Sequence, residues 1–294
     1  MGTRARSMPE FYQRLARFAS PEAVEYAGAF RPRPDDVIIA TYPKCGTTWM
    51  QQIVHGLRTG GDMGFGEITE VTPWIELAGD LGWDLDAEQG ASPRAFKSHL
   101  DGDSVPDGCR YIVVLRDPRD ALVSFYRFMD GWFLEPGAVS LDEFTRAMVE
   151  SGSRSGQYWP HLVSWWRRRN QPQVLLTTFE ELKRHLEGEV RRVAAFLDIE
   201  DAGRIDIATR QARFDFMKAH ERQFDDHLIA EARNLACGLP EDARSTKVRT
   251  GRVGEAKQAF SPETQALLDA AWRTVVEPET GCADYAAMRD ALRR

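Results

Sequence analysis

The residues best placed to do chemistry stand in three short stretches. The first, "YPKCGTTW" (Tyr42–Trp49), follows the apolar run "DVIIA" and sets Lys44 beside Gly46, with Thr47 and Thr48 opening what comes next. A glycine lets the backbone approach a ligand, a helix start offers free N–H groups, and a lysine adds a point charge, so this grouping suits an anion. In the second, "LRDPRDALVS", Arg116 and Ser124 lie eight residues apart (124 − 116 = 8). That is about two helical turns, which lets both reach one phosphate, the arginine through a bidentate fork and the serine through its hydroxyl. The third, "VRTGRVGEAK", couples Arg249 to Gly251 and Gly254 in a loop suited to closing over an anion. Taken alone, the first stretch also fits a plain strand–helix turn with a surface lysine, but one phosphate would not need all three.

The kind of anion is narrowed by what is missing. In the common nucleotide loop a first glycine stands well upstream and lysine directly precedes Ser or Thr. Here Lys44 precedes Cys45 and Gly46, and no strand-end aspartate is poised for Mg²⁺, which weakens an ATPase or kinase reading. Cys45, near a lysine and a helix start that favour thiolate, is a weaker candidate nucleophile. His99, in "AFKSHL", would by itself be read as a structural histidine; at the end of a candidate strand in a chain with this loop it becomes a candidate base. His55, His161, His185, His220 and His227 keep the structural reading.

The elements that must position these residues follow from periodicity. Short β-branched runs alternate with amphipathic stretches, as in strand–helix units around a parallel sheet. Strands are predicted over 36–41, 94–98, 110–116 and 173–179, and helices over 47–57, 118–129, 158–169 and 180–199. Thr47 is the expected cap of the first helix, and Ser261 with Pro262 opens another over 261–276. From about 215 to 260 the pattern weakens into a polar segment, a length of irregular chain that is often functional.

Composition bounds the partners. Thirty-eight Lys+Arg against forty-five Asp+Glu give a net charge of −7 in 294 residues, which argues against a nucleic-acid binder, so any anion site is local. "WWRRR" (165–169) is read as a helix end with Trp165 in the core rather than a nucleic-acid patch. Four scattered cysteines fit a reducing, cytoplasmic setting without a zinc site. No run approaches the roughly 20 apolar residues of a membrane span, so no membrane insertion is expected.

With these residues assembled, the chain resembles the sulfotransferases that use 3′-phosphoadenosine 5′-phosphosulfate (PAPS), most closely the cytosolic-type enzymes and their bacterial relatives. The likeness runs from about Asp35 to Phe260, and seven of the eight positions of the family pattern Y-P-K-S-G-T-T-W recur. It implies a single α/β domain over 1–294, with a lead-in over 1–34 and a central parallel sheet of P-loop nucleotide-binding type. It further implies that Lys44 and the loop from Cys45 through Thr48 hold the 5′-phosphosulfate and that Trp49 stacks on adenine. Arg116 and Ser124, with Arg249, Thr250 and Gly251, would grip the 3′-phosphate, while Phe179 and Phe214 lie on the adenine side. "FKSHL" matches K-T-H-L, making His99 the base and Lys97 its companion. PAPS would be the cosubstrate, with no metal, and the partner a small hydroxyl or amine acceptor.

Departures from the family pattern bear on affinity. Cys45 replaces Ser, Phe179 replaces a frequent Tyr, Thr250 replaces Lys and Ala256 replaces Trp. The family's dimer pattern starts at Lys257 but meets Ser261 and Pro262, so that dimer is not predicted and the oligomeric state stays open. Trp74, Leu77, Leu81, Trp83, Trp132 and Phe133 are the apolar candidates for a lipophilic or aromatic acceptor.

Overall fold

The computed structural model describes residues 2–150, 158–248, 254, 256 and 259–293. All four predicted strands form: β1 (Val37–Ala40), β2 (Ala95–Ser98), β3 (Arg110–Leu115) and β4 (Val174–Thr178), in one parallel sheet of order β2-β1-β3-β4. Their near-continuous burial has a direct cause, since helices cover both faces and no strand residue needs to be polar.

Side chains alternate across the sheet and feed two cores. Ile38, Ala40, Tyr111 and Val113 join the core containing Phe11 and Trp165, while Val37, Ile39, Ile112 and Val114 join the core containing Met50 and Ile53. The second core is roofed by helices Thr47–Thr59 and Ala202–Gln211. Gly56 allows their close approach, because a Cβ there would lie 3.2 Å from the Cα of Ala208.

Three expectations are corrected. The stretch 180–199 is not one helix: His185, at φ −135° and ψ 49°, leaves the helical region and separates Phe179–Arg184 from Leu186–Phe196. The break lets the second helix bury Val190, Val193 and Ala194 against the sheet. The helix after Ser261 is α-helical over Pro262–Ala271 and then widens into a π turn, Trp272–Val276, with Trp272 Nε1 donating to the Cys282 carbonyl at 2.9 Å. The polar segment after 215 contains helical turns, Phe214–Ala219, Glu221–Phe224 and His227–Arg233. Among the described residues no helix is long and apolar enough to cross a membrane.

At the amino ends of β1 and β2, Arg94 forks onto Asp36, Nε to Oδ1 at 2.9 Å and Nη2 to Oδ2 at 2.6 Å, with both side chains buried. Truncating one partner strands the other charge in the core. Asp36→Ala is therefore expected to lower unfolding free energy by about 3–5 kcal/mol. Urea titration of the variant checks this, and a loss under about 1 kcal/mol would mean Arg94 escapes to water.

Candidate active site

Every strand delivers a candidate residue at its carboxyl end: Lys44 after β1, His99 after β2, Arg116 after β3 and Phe179 after β4. The connection from β1 runs to β2 on one side and that from β3 runs to β4 on the other, which opens a crevice at the carboxyl ends of these two adjacent strands. All four residues line one cavity of about 480 Å³. So do Gly46, Thr47, Thr48, Trp49, Lys97, Ser124 and Phe214. Arg249, Thr250 and Gly251 lie outside the described residues.

The corner after β1 is built on two left-handed residues, Lys44 at φ 68° and Gly46 at φ 112°. Gly46 caps the helix Thr47–Thr59, so Thr47 is not the cap but its first residue. The Thr47 hydroxyl is taken instead by the hydroxyl of Thr41, which ties the helix start to the end of β1. Arg116 Nη1 donates to the Lys44 carbonyl at 2.9 Å, and its guanidinium lies 4.2 Å from the Phe179 ring centre. Trp49 meets Phe179 edge to face at 5.3 Å and donates from Nε1 to the Ala212 carbonyl at 2.7 Å. Phe214 stays 41% exposed at the cavity mouth.

Cys45 is the described candidate that does not line the cavity; its side chain packs into the core. Burial pushes its thiol up to about 12, so it stays protonated at neutral pH and lacks the thiolate a nucleophile needs. Lys44 Nζ sits 3.8 Å above the Phe128 ring centre. Burial first, and the charge of Lys247 next, hold its pKa well below the usual lysine range. Such an ammonium gains most from an incoming anion.

His99 is held by backbone on two sides. Its Nδ1 lies 2.6 Å from the Thr41 carbonyl, an atom that can only accept, so Nδ1 carries the proton and Nε2 keeps the lone pair. Its backbone N–H donates to Glu76 Oε1 at 2.6 Å. Burial, with help from the Lys97 charge, lowers its pKa well below 6.5, so the ring is neutral at physiological pH. Trp74 covers both neighbours, its ring 4.9 Å from that of His99 and 3.5 Å beneath Lys97 Nζ. The Trp74 backbone reaches this position by bridging to Lys97 beside β2, where Lys97 N–H donates to the Pro73 carbonyl at 2.8 Å.

Beyond His99 the cavity wall turns apolar, with Phe18, Trp74, Phe128, Trp132 and Met148. Of the residues expected there, Leu77 and Phe133 are core, and Leu81 and Trp83 pack against the core without lining the cavity. Sequence reasoning missed Glu76, Asp120, His161, Asp226 and Lys247, all of which line it. Asp120 accepts from the backbone N–H of Gly254 at 2.6 Å and of Ala256 at 3.1 Å, which fastens the third stretch to the second. His161 is buried and pushed down to about 4, hence neutral. Asp226 and Lys247 form a buried ion pair 21 residues apart in sequence (247 − 226 = 21). Only the irregularity of their segment signalled that it matters.

A parallel sheet flanked by helices, with a glycine-bearing corner, a lysine and an arginine at one crevice, defines an α/β protein with a fold of P-loop type. Within that class, residues 34–280 match the family described as "Sulfotransferase domain", and the chain belongs to the sulfotransferase family. It is 27% identical over 261 residues to human sulfotransferase 1C2, covering 85% of this chain and 86% of that protein. It is 28% identical over 257 residues to dog sulfotransferase 1B1, covering 83% and 84%. The fold is similar to that of mouse sulfotransferase SULT7A1, solved in complex with PAP, at a TM-score of 0.69, 22% identity and 94% coverage of both chains.

Gly46 is where this geometry is least tolerant of a side chain. Its φ of 112° disfavours any Cβ, and a Cβ there would lie 3.2 Å from Phe179 Cδ2. Gly46→Ala is expected to lose about 1–3 kcal/mol of stability. Chemical denaturation measures it, and an unchanged midpoint would mean the corner adopts another conformation.

Proposed function

We propose that the protein transfers a sulfuryl group from PAPS to the hydroxyl of a small, lipophilic or aromatic acceptor, with His99 as general base. One observation carries this reading above the others: the lone pair on His99 Nε2 and the ammonium of Lys44 belong to the same cavity, at the ends of adjacent parallel strands.

The residues fit the cosubstrate on their own chemistry. The corner is closed to a Cβ at Gly46, and its lysine is buried without full electrostatic compensation, which together suit the phosphosulfate. Arg116 and Ser124 would hold the 3′-phosphate, with Asp120 keeping the third stretch within reach. Trp49, Phe179 and Phe214 offer aromatic surface to adenine. PAPS supplies an activated sulfuryl group whose leaving group is the nucleotide's 5′-phosphate. The acceptor hydroxyl then gives its proton to His99 Nε2 while its oxygen bonds sulfur and the bond from sulfur to the phosphate oxygen breaks. Lys44 stabilises the charge released on that oxygen. Positioning and electrostatics do most of the work, as in phosphoryl transfer. Phe18, Trp132 and Met148 would hold the rest of the acceptor by apolar contact.

The defining experiment incubates the protein with PAPS and a panel of phenols, sterols and amines and looks for the added sulfonate by mass. No product from any hydroxyl acceptor, with PAP bound tightly, would point to a binding protein instead. His99→Ala is expected to lower turnover about 10²–10⁴-fold, the usual worth of a general base, while PAP binding persists; equal turnover removes His99 from the mechanism.

The pH profile is a separate check. A neutral base works above its own pKa, and that of His99 lies well below 6.5. Lys97, lowered by burial to about 8, loses charge as pH rises through that value. The kcat/KM profile, which reports free-enzyme groups, is therefore expected to stay level down through pH 6.5 and to fall above about 8. A half-drop at pH 6.5 would contradict the buried, neutral imidazole.

A further inference from the structure

The pair Asp226 and Lys247 is unexplained by the proposed roles. Their side chains are 4% and 10% exposed, and both line the cavity. Asp226 heads the helix His227–Arg233 with a left-handed backbone, φ 61°, a conformation that a bulky residue would resist. A buried carboxylate in a strained position persists only where its surroundings hold it. Here the surroundings are cationic. Burial alone would raise the Asp226 pKa, but Lys247, Lys97 and Lys44 together hold it below the ordinary aspartate value, so one carboxylate stands among three ammoniums.

Lys247 lines the same cavity as Lys44 and Lys97. After burial it is the strongest influence lowering Lys44, and it also acts on Lys97 and His99. Among these four side chains the lysines outnumber the carboxylate, an excess of positive charge that Glu76, whose carboxyl also lines the cavity and is pushed up by burial, opposes in part. Glu67 does not cancel it, because burial and Asp226 push that carboxyl up to about 8 and it lies behind the cavity wall. A phosphosulfate, ionised on both its phosphoryl and its sulfuryl group, would neutralise the excess.

We propose that Lys247, held in place by the buried Asp226 carboxylate, is a third cation for the sulfuryl group of PAPS, beside Lys44 and Lys97. This rests on the reading that the phosphosulfate lies against Lys44. It assigns to the 226–247 segment a part in distinguishing loaded from spent nucleotide, since PAP lacks the group Lys247 would contact.

That difference supplies the test, and it needs no acceptor and no turnover. Dissociation constants for PAPS and for PAP are measured by calorimetry on the wild type, Lys247→Met and Lys247→Arg. The methionine variant is expected to weaken PAPS about 10- to 100-fold, the size of a lost charge-assisted hydrogen bond, and to leave PAP nearly unchanged. Arginine is expected to restore most of the PAPS affinity. Equal loss for both nucleotides would mean that Lys247 only supports the fold, and no loss for either would mean that it does not reach the sulfuryl group; each overturns the proposal. Failure of the wild type to bind either nucleotide would refute the placement of PAPS on Lys44 itself, and the two failures are thereby told apart.

Discussion

The site hangs on the parallel pairing of β1 with β2, and in particular on the bond from His99 Nδ1–H to the Thr41 carbonyl. In-register pairing of Ala40 with Ser98 brings the two strand ends level, so the next residue of one chain segment can serve the other. Thr41 N–H donates to the Ser98 carbonyl at 3.2 Å, while the Thr41 carbonyl accepts from the imidazole at 2.6 Å. The residue that follows β1 thus sets the tautomer of the histidine that follows β2. Its hydroxyl, bonded to Thr47, also fixes the first turn of the helix carrying the corner's N–H groups. A slip of one residue in this pairing would turn His99 to the opposite face and separate it from Lys44.

Around that bond the protein keeps cations dry. Lys44 and Lys97 rest on the faces of Phe128 and Trp74, and Arg116 on Phe179. Aromatic faces attract a cation without neutralising it. An aspartate in each of those positions would satisfy the lysines and leave no demand for a ligand. With rings there instead, the charges stay partly uncompensated in a low-dielectric cleft, where an arriving anion is held more strongly than it would be in water. Burial depresses the pKa values of both Lys97 and His99, and the Lys97 charge lowers that of His99 further, which leaves a neutral imidazole beside charged donors.

Much of this was legible in the sequence, and the reason is local. All four strands could be read because residues buried on both faces leave uninterrupted apolar runs, and the stretches that bring Lys44 and Arg116 to the cavity stood out because each is contiguous. What could not be read was contact across long separations. Nothing in "QFDDHL" or "RSTKV" indicates that Asp226 and Lys247 pair inside a cavity, and nothing in "TPWIE" indicates that Glu76 receives the His99 N–H. The cap at Thr47 was misread for a related reason. Hydroxyl residues usually cap helices through their own following N–H groups, but here Thr47 already had a partner in Thr41, six residues earlier, and a left-handed glycine took the cap.

The departures from the family pattern also look different once placed. A serine-to-cysteine change at 45 suggests a lost hydrogen bond to the cosubstrate, yet the Cys45 side chain points into the core and its N–H donates to the Tyr42 carbonyl at 3.2 Å. A thiol suits that apolar pocket better than a hydroxyl, which would be buried at a cost of about 1–3 kcal/mol without a partner. Phe179 keeps its face against Arg116 and its edge against Trp49, so the aromatic surface offered to a base survives the missing hydroxyl. By the family resemblance, the charge missing at Thr250 would belong to the 3′-phosphate end. Lys247 lines the same cavity as Lys44, and in the proposed reading it would meet the sulfuryl end of the nucleotide. Binding energy would then fall on the part of the cosubstrate that is transferred, which is where it can speed the chemical step.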